Sequence, residues 1–419
     1  MSAVPDTHRA IDAVWRIESA RLIAGLARIV RDVGLAEDLA QEALVAALEQ
    51  WPEAGIPDNP GAWLMATAKH RAIDGIRHEQ MADRKREEIA HEMDVIHEPD
   101  LDAQADDDIG DDLLTLIFTA CHPVLNTEGR IALTLRLVGS LTTPEIARAF
   151  VVPEKTMAQR IVRAKKTLKT AGVSFETPHG EERDERLASV LEVVYAIFNE
   201  GYSATAGDDW MRPALTEDAL RLGRILAGLA PTEPEVHGLM ALMEIQASRA
   251  KARTDADGVP ILLLDQDRSR WDQLLIRRGL AALERAEDLA AGHPGPYTLQ
   301  AAIAACHARA REPGDTDWDR IALLYANLAT RTGSPVVELN RAVAVGMARG
   351  PEAGLELVEQ LVAGGDLEGY HLLPSVRGDL LAKLGRDDEA RAEFERAAAM
   401  TANQRERALL LERAAETDR

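Results

Sequence analysis

The chain has 419 residues, of which 46% are hydrophobic, 28% charged and only 4% aromatic, with a formal net charge of −22. That is enough apolar content for packed cores, so a mostly disordered chain is excluded, and the scarcity of rings argues against a β-sandwich or barrel. Two cysteines, Cys121 and Cys306, exclude a disulfide-built secreted scaffold and fit a reducing cytosol. No run of about 18 apolar residues is present, so no transmembrane helix is expected. Residues 1–16 lack the layout of a secretory signal, and the expected location is cytoplasmic.

The charge is unevenly spread. Residues 1–80 carry a net −4, residues 81–112 a net −10, residues 113–175 a net +6 and residues 176–419 a net −14. A strongly acidic protein is a poor partner for nucleic acid. One short segment is the exception, and it holds the clearest motif.

Apolar residues recur at three- and four-residue spacing almost throughout, so the predicted fold is all-α. One or two helices are predicted over 8–32 and another over 35–51. A Pro- and Gly-containing loop follows at 52–60. Asn59 is a candidate N-cap with Pro60 at the first helical position, opening a helix to about residue 79. Residues 81–112 read as an extended acidic linker. Helical periodicity resumes from Leu113 to about Ala171. A second break, at 174–185, leads into a long Ala- and Leu-rich region. There, residues 371–400 place Gly378, Leu381, Gly385, Ala390, Phe394 and Ala397 at the offsets of a tetratricopeptide unit, with a fainter echo at 350–361. Residues 259–264 are compatible with a strand or a helix start.

Within the basic segment, residues 141–171 read LTTPEIARAFVVPEKTMAQRIVRAKKTLKTA. Thr142 and Glu145 have capping-box spacing. A short helix to about Phe150, a tight turn and a second helix from near Pro153 make a helix-turn-helix pattern, whose second helix enters the DNA major groove. By helical phase Met157, Ile161, Ala164 and Leu168 face inward. Lys155, Gln159, Arg163, Lys166 and Thr170 fall on the opposite side. Arg and Gln can read base edges, and Lys can neutralise phosphates. An ordinary solvated amphipathic helix is the competing reading. The turn usually carries a glycine, and Val151 stands there; a β-branched residue resists positive φ, so either the turn differs or the register moves by one.

Residues 36–51 and 59–78 resemble region two of bacterial sigma factors, and residues 113–171 resemble region four. Their order and the acidic segment between them are similar to the extracytoplasmic-function class of the sigma-70 family. The segments IFNEGYSA (197–204), QDRSRWD (266–272) and SPVVELNRAVA (334–344) resemble a subgroup with a tetratricopeptide-like C-terminal extension. The resemblance implies an initiation factor with four parts. These are a region-two bundle over 8–80, the linker over 81–112, a region-four helix-turn-helix over 113–175 and a regulatory helical domain over 176–419. It implies core RNA polymerase and promoter DNA as partners, no cofactor and no enzymatic activity. Asp38, Gln41 and Glu42 correspond to polymerase-docking positions. Asn59, Trp63, Lys69, His70 and Arg77 correspond to the −10 element surface, where unstacked single strand needs a basic, partly aromatic face. Lys155, Thr156, Gln159, Arg160, Arg163 and Lys166 correspond to the −35 contact. By phase Trp63, Thr67, His70, Asp74 and Arg77 share a face of the helix that opens at Pro60; core packing competes for Trp63, and a salt bridge with a neighbour such as Arg71 or Arg77 for Asp74. The C-terminal domain is expected to contact a regulatory protein or its own sigma regions.

Other chemistries are weaker. Asp107, Asp108 and Asp111 spell a DDxxD magnesium motif, but it sits in the charge run without a second acidic motif. Cys121-His122 and Cys306-His307 lack the spacing of a zinc site and read as buried thiols beside structural histidines. No nucleophile elbow, P-loop or dinucleotide glycine pattern occurs. The alternative reading is a helix-turn-helix regulator with helical repeats that does not join polymerase.

Overall fold

The computed structural model describes residues 3–87, 109–203, 211–255, 259–365 and 367–416. Among these, the protein is all-α, with no strand and one isolated bridge, Thr254 to Pro260. Residues 259–264 therefore form neither a strand nor a helix start. The chain divides into two compact units, residues 1–193 and 194–419.

The first unit begins with α1 (Ala3–Val30), α2 (Val33–Ala54) and α3 (Pro60–Glu87). α1 is one helix rather than two. Its break from α2 is a single tight turn, with Arg31 at φ 53° and the Asp32 side chain accepting from the amides of Gly34 and Leu35. α2 runs through Pro52, which narrows the predicted 52–60 loop to 55–59. α3 continues past residue 79 to Glu87, and α4 (Ile109–Ala120) opens before Leu113. The predicted acidic linker thus loses both ends to helix, and residues 88–108, which include Asp107 and Asp108, lie outside the described residues. Next come α5 (Thr127–Leu137), α6 (Thr143–Ala149) and α7 (Glu154–Thr170), packed on one another, with α5 also touching α1.

α8 (Gly180–Tyr202) begins inside the predicted break at 174–185 and crosses the boundary between units. Up to Val193 it belongs to the first unit. Leu187, Val190 and Leu191 are buried there, Arg186 donates to the Phe118 carbonyl at 3.3 Å, and Ser189 Oγ donates to the Cys121 carbonyl at 2.6 Å.

The second unit continues with α9 (Pro213–Leu229), α10 (Pro234–Ala247), α11 (Gln273–Ala290), α12 (Pro296–Arg309), α13 (Trp318–Thr332), α14 (Pro335–Arg349), α15 (Pro351–Gly364), α16 (Leu372–Lys383), α17 (Asp387–Met400) and α18 (Gln404–Glu416). Most consecutive helices from α9 onward pack on one another. Close approach needs small residues at the crossings. A Cβ on Gly378 of α16 would stand 3.0 Å from the Phe394 ring of α17, and one on Gly354 of α15 would stand 2.8 Å from the Ala342 carbonyl of α14. Leu339, Leu355, Val358, Leu373, Leu381, Phe394 and Leu410 join one apolar cluster that runs through this end of the unit.

Candidate nucleic-acid interface

The helix-turn-helix forms as its local signals require. Thr142 Oγ1 accepts from the Glu145 amide while the Glu145 carboxylate accepts from the Thr142 amide, so the capping box is complete. α6 then ends, and Val151 takes φ 51°. The register of the turn is the one predicted, and a valine occupies the left-handed position where glycine is usual. It can do so because its side chain is exposed and the amides of Val151 and Val152 return to the carbonyls of Arg148 and Ala147.

α7 divides into faces as its phase predicts. Met157, Ile161, Ala164 and Leu168 are buried. Lys155, Thr156, Gln159, Arg163, Lys166 and Thr170 are exposed. Arg160 is half-buried and paired to Glu128 of α5 at 2.9 Å, so its guanidinium orients within the unit.

A third edge of α7 is not legible from periodicity. Lys165 Nζ reaches Glu37 Oε2 of α2 at 2.5 Å, and Arg136 Nε of α5 donates to Glu37 Oε1 at 2.6 Å. Lys169 Nζ lies 2.8 Å from Asp32 Oδ2. Glu37 is only 3% exposed, so this is a buried carboxylate held by two cations from the region-four side. Ser19 and Ser140 hydroxyls meet at 2.6 Å, and Arg28 pairs with Asp112 at 3.4 Å, across the same contact. The packing is incomplete: a cavity of about 420 Å³ lies between Asp32, Val33, Thr119, Lys165 and Lys169. One sequence signal marked Glu37. It shares the buried stripe of Val33, Ala36 and Ala40, where an unpaired carboxylate would be costly.

On α2, Asp38 and Glu42 are exposed. Gln41 is half-buried and donates to Glu37 Oε1 at 2.7 Å. Glu42 accepts from Arg71 of α3 at 3.0 Å, so Arg71 pairs with Glu42 and not with Asp74. At the start of α3, Asn59 Oδ1 accepts from the Ala62 amide at 3.1 Å. Trp63 is half-buried with its ring edge-on to the buried Trp51, centroids 5.3 Å apart, so packing holds it at the mouth of the 55–59 loop. Lys69 is half-buried and His70 exposed; the Arg77 side chain lies outside the described residues.

Both cysteines are free and buried. Burial pushes the Cys121 thiol up to about 12, and Thr134 Oγ1 sits 3.2 Å from its sulfur. His122 accepts from the Val124 amide through Nδ1, and burial with Arg186 nearby lowers its pKa. No group of three metal-ligating side chains occurs among the described residues, and no described helix is long and apolar enough to cross a membrane.

Family comparisons agree with this geometry. Residues 17–81 match sigma-70 region 2, residues 115–168 match sigma-70 region 4, and residues 186–287 match a family of unknown function, DUF6596. A protein of Rhizobium meliloti (strain 1021), described as "Uncharacterized protein R00370", is 44% identical over 400 residues, covering 93% of this chain and 91% of its own length. A solved structure, the crystal structure of yeast Tom70, aligns over 92% of this chain and 81% of its own at 11% identity with a TM-score of 0.31. The chain belongs to one family with the Rhizobium meliloti protein, and its two sigma-70 regions make it a sigma-70-like transcription initiation factor.

Proposed function

We propose that this chain is a sigma factor of the extracytoplasmic-function class. It docks on core RNA polymerase through Asp38, Gln41 and Glu42, and reads the −35 element through Lys155, Thr156, Gln159, Arg163 and Lys166, with Arg160, paired to Glu128 in this structure, as a further contact once that pair opens. Asn59, Trp63, Lys69, His70 and Arg77 hold the melted −10 strand. The observation that carries this reading is the exposed basic face of α7, presented by a capped helix-turn-helix in a chain of net charge −22. Arg and Gln on that face suit base edges, and the lysines suit phosphates. The acidic remainder opposes non-specific DNA binding by the free protein. The DNA-facing side of α7 stays open while its other edge is tied to α2, so the two regions must part to span two promoter elements. On this reading residues 176–419 form a tetratricopeptide-like regulatory domain of a cytoplasmic protein, acting through a regulatory protein or on the chain's own sigma regions.

The test is transcription in vitro. Purified full-length chain added to core polymerase should start transcripts at a promoter selected from its own host. A DNA-binding regulator that does not join polymerase would bind the promoter and start none.

A further inference from the structure

In the second unit, arginines generally meet carboxylates. Arg224 and Arg278 converge on the buried Glu244, Arg377 bridges Glu359 and Glu393, and Arg413 pairs with Asp379. Arg249, one residue past the cap of α10, does not. It is half-buried, and among the described residues it meets neither a carboxylate nor a hydrogen-bond acceptor; its Nε is buried and bare. Its guanidinium carbon lies 5.8 Å from the ring centroid of Tyr202 and 5.9 Å from that of Trp271.

The neighbourhood has the same bias. Arg268 stands 5.0 Å from the Trp271 centroid and ties down the end of α12, donating to the carbonyls of His307 and Ala310, yet its Nε is also buried and bare. Trp271 is 4% exposed with an unmatched Nε1–H, and His307 is 8% exposed with an unmatched Nδ1. Three of these four atoms are obligatory donors. A buried donor without an acceptor is destabilising, so one such atom is tolerable and a cluster asks for a partner. Charge points the same way. His307 faces Arg249 and Arg268; burial and these two cations hold its pKa down at about 4, while the Asp315 carboxylate acts on Arg268. The missing component is an acceptor that carries negative charge.

We propose that Arg249, flanked by Tyr202 and Trp271, is the anchor of a binding site for a phosphate group, either free or carried by a small phosphomonoester. A guanidinium fork joined by donors from other directions suits a tetrahedral oxyanion better than a planar carboxylate. The Tyr202 ring is itself covered by Phe198, stacked at 5.5 Å, and by Arg253 at 3.6 Å, so the ligand's contacts fall to the guanidinium and the bare donors. Arg249 is open enough to admit the ligand, since it is only half-buried. All of these residues belong to the second unit, to which the site gives a chemical input.

The experiment is calorimetric titration of the full-length chain with inorganic phosphate, with adenosine monophosphate as a probe phosphomonoester, and with acetate, all at constant ionic strength. One saturable site for phosphate or for the monoester is expected, with the tighter of the two identifying the source. Arg249→Gln should weaken it at least about tenfold, and Arg249→Lys less. Binding should also raise the His307 imidazole pKa, read by NMR, because an anion offsets the two guanidinium charges; a purely structural arginine would not do this. Trp271→Phe keeps the ring and removes the bare donor, and should weaken binding with an unchanged circular dichroism spectrum, which serves if Arg249→Gln does not fold. Absence of a saturable site, equal affinity in Arg249→Gln or Trp271→Phe, or acetate binding as tightly as phosphate overturns the proposal.

Discussion

Glu37 of α2 and Lys165 of α7 meet at 2.5 Å, and the carboxylate is 3% exposed while the lysine is about one-fifth exposed. With Arg136 at 2.6 Å, the carboxylate binds the region-two helices to the helix-turn-helix. A buried ion pair contributes little compared with an apolar replacement, but breaking it is expensive because the remaining charge stays in a poor solvent. This contact therefore acts through geometry: it fixes one arrangement of the region-two helices and the helix-turn-helix.

Glu37→Gln should destabilise the first unit by about 3 kcal/mol in denaturant melts, since Arg136 and Lys165 lose their counter-charge. Asp32→Asn should cost about 1–2 kcal/mol, because Lys169 is exposed and the N-cap is only weakened. The same melts at 0.1 M and 1 M salt separate the two, since screening reaches the exposed pair and hardly the buried one. Equal salt sensitivity would show that Glu37 is not buried as described.

Acid should loosen the same contact. Burial opposes ionisation of Asp32, but Lys169 and the amides of Leu35 and Gly34 outweigh it and lower its pKa; the Thr142 amide and hydroxyl do the same for Glu145. A lowered folded pKa gives stability that is present above the unfolded pKa and lost as pH falls through the folded one. Stability should thus be flat above about pH 5 and decline below about pH 4. In Asp32→Asn that decline should be shallower.

Arg163→Glu and Lys166→Glu should each weaken promoter binding about tenfold or more at moderate salt, as charge reversal places a carboxylate against phosphate or a base edge. Both side chains are exposed, so the melting temperature should move little. Mobility shift read beside a polymerase pull-down distinguishes the outcomes. Unchanged promoter affinity in both variants would remove α7 from the groove.

Asp38→Arg with Glu42→Arg should abolish the complex with core polymerase while the helical spectrum persists. Glu42→Arg also faces Arg71, which costs less than about 1 kcal/mol at this exposed site. A double variant that still forms holoenzyme at wild-type affinity would show that α2 docks elsewhere.

Val151→Gly should raise stability by about 1 kcal/mol, although valine to glycine usually lowers it. A β-branched residue in the left-handed region costs about 1–3 kcal/mol, which exceeds the roughly 1 kcal/mol that glycine adds to unfolded-state entropy. A loss of stability would mean that the turn carries no strain.

Local patterns were sufficient for much of this protein. The helices of the first unit, the capping box at Thr142, the inward face of α7 and the Gly378–Phe394 crossing all follow from residues within about four positions of one another, or from small residues at regular offsets. Amphipathic period and cap chemistry are properties of the chain itself. Three features were decided only by tertiary structure. Glu37 finds Arg136 at a separation of 99 residues, a pairing that no periodicity encodes. α8 starts earlier than its composition suggests, because Leu187, Val190 and Leu191 have a core to enter and Ser189 a carbonyl to cap. Arg249, the Arg268–Trp271 turn and His307 come from three segments and meet only when α10 and α12 pack. Sequence assigns each residue its local conformation and face. The neighbour a charge meets across the fold, and so whether it is exposed for binding or consumed in a contact, is set by packing over distances that local chemistry does not span.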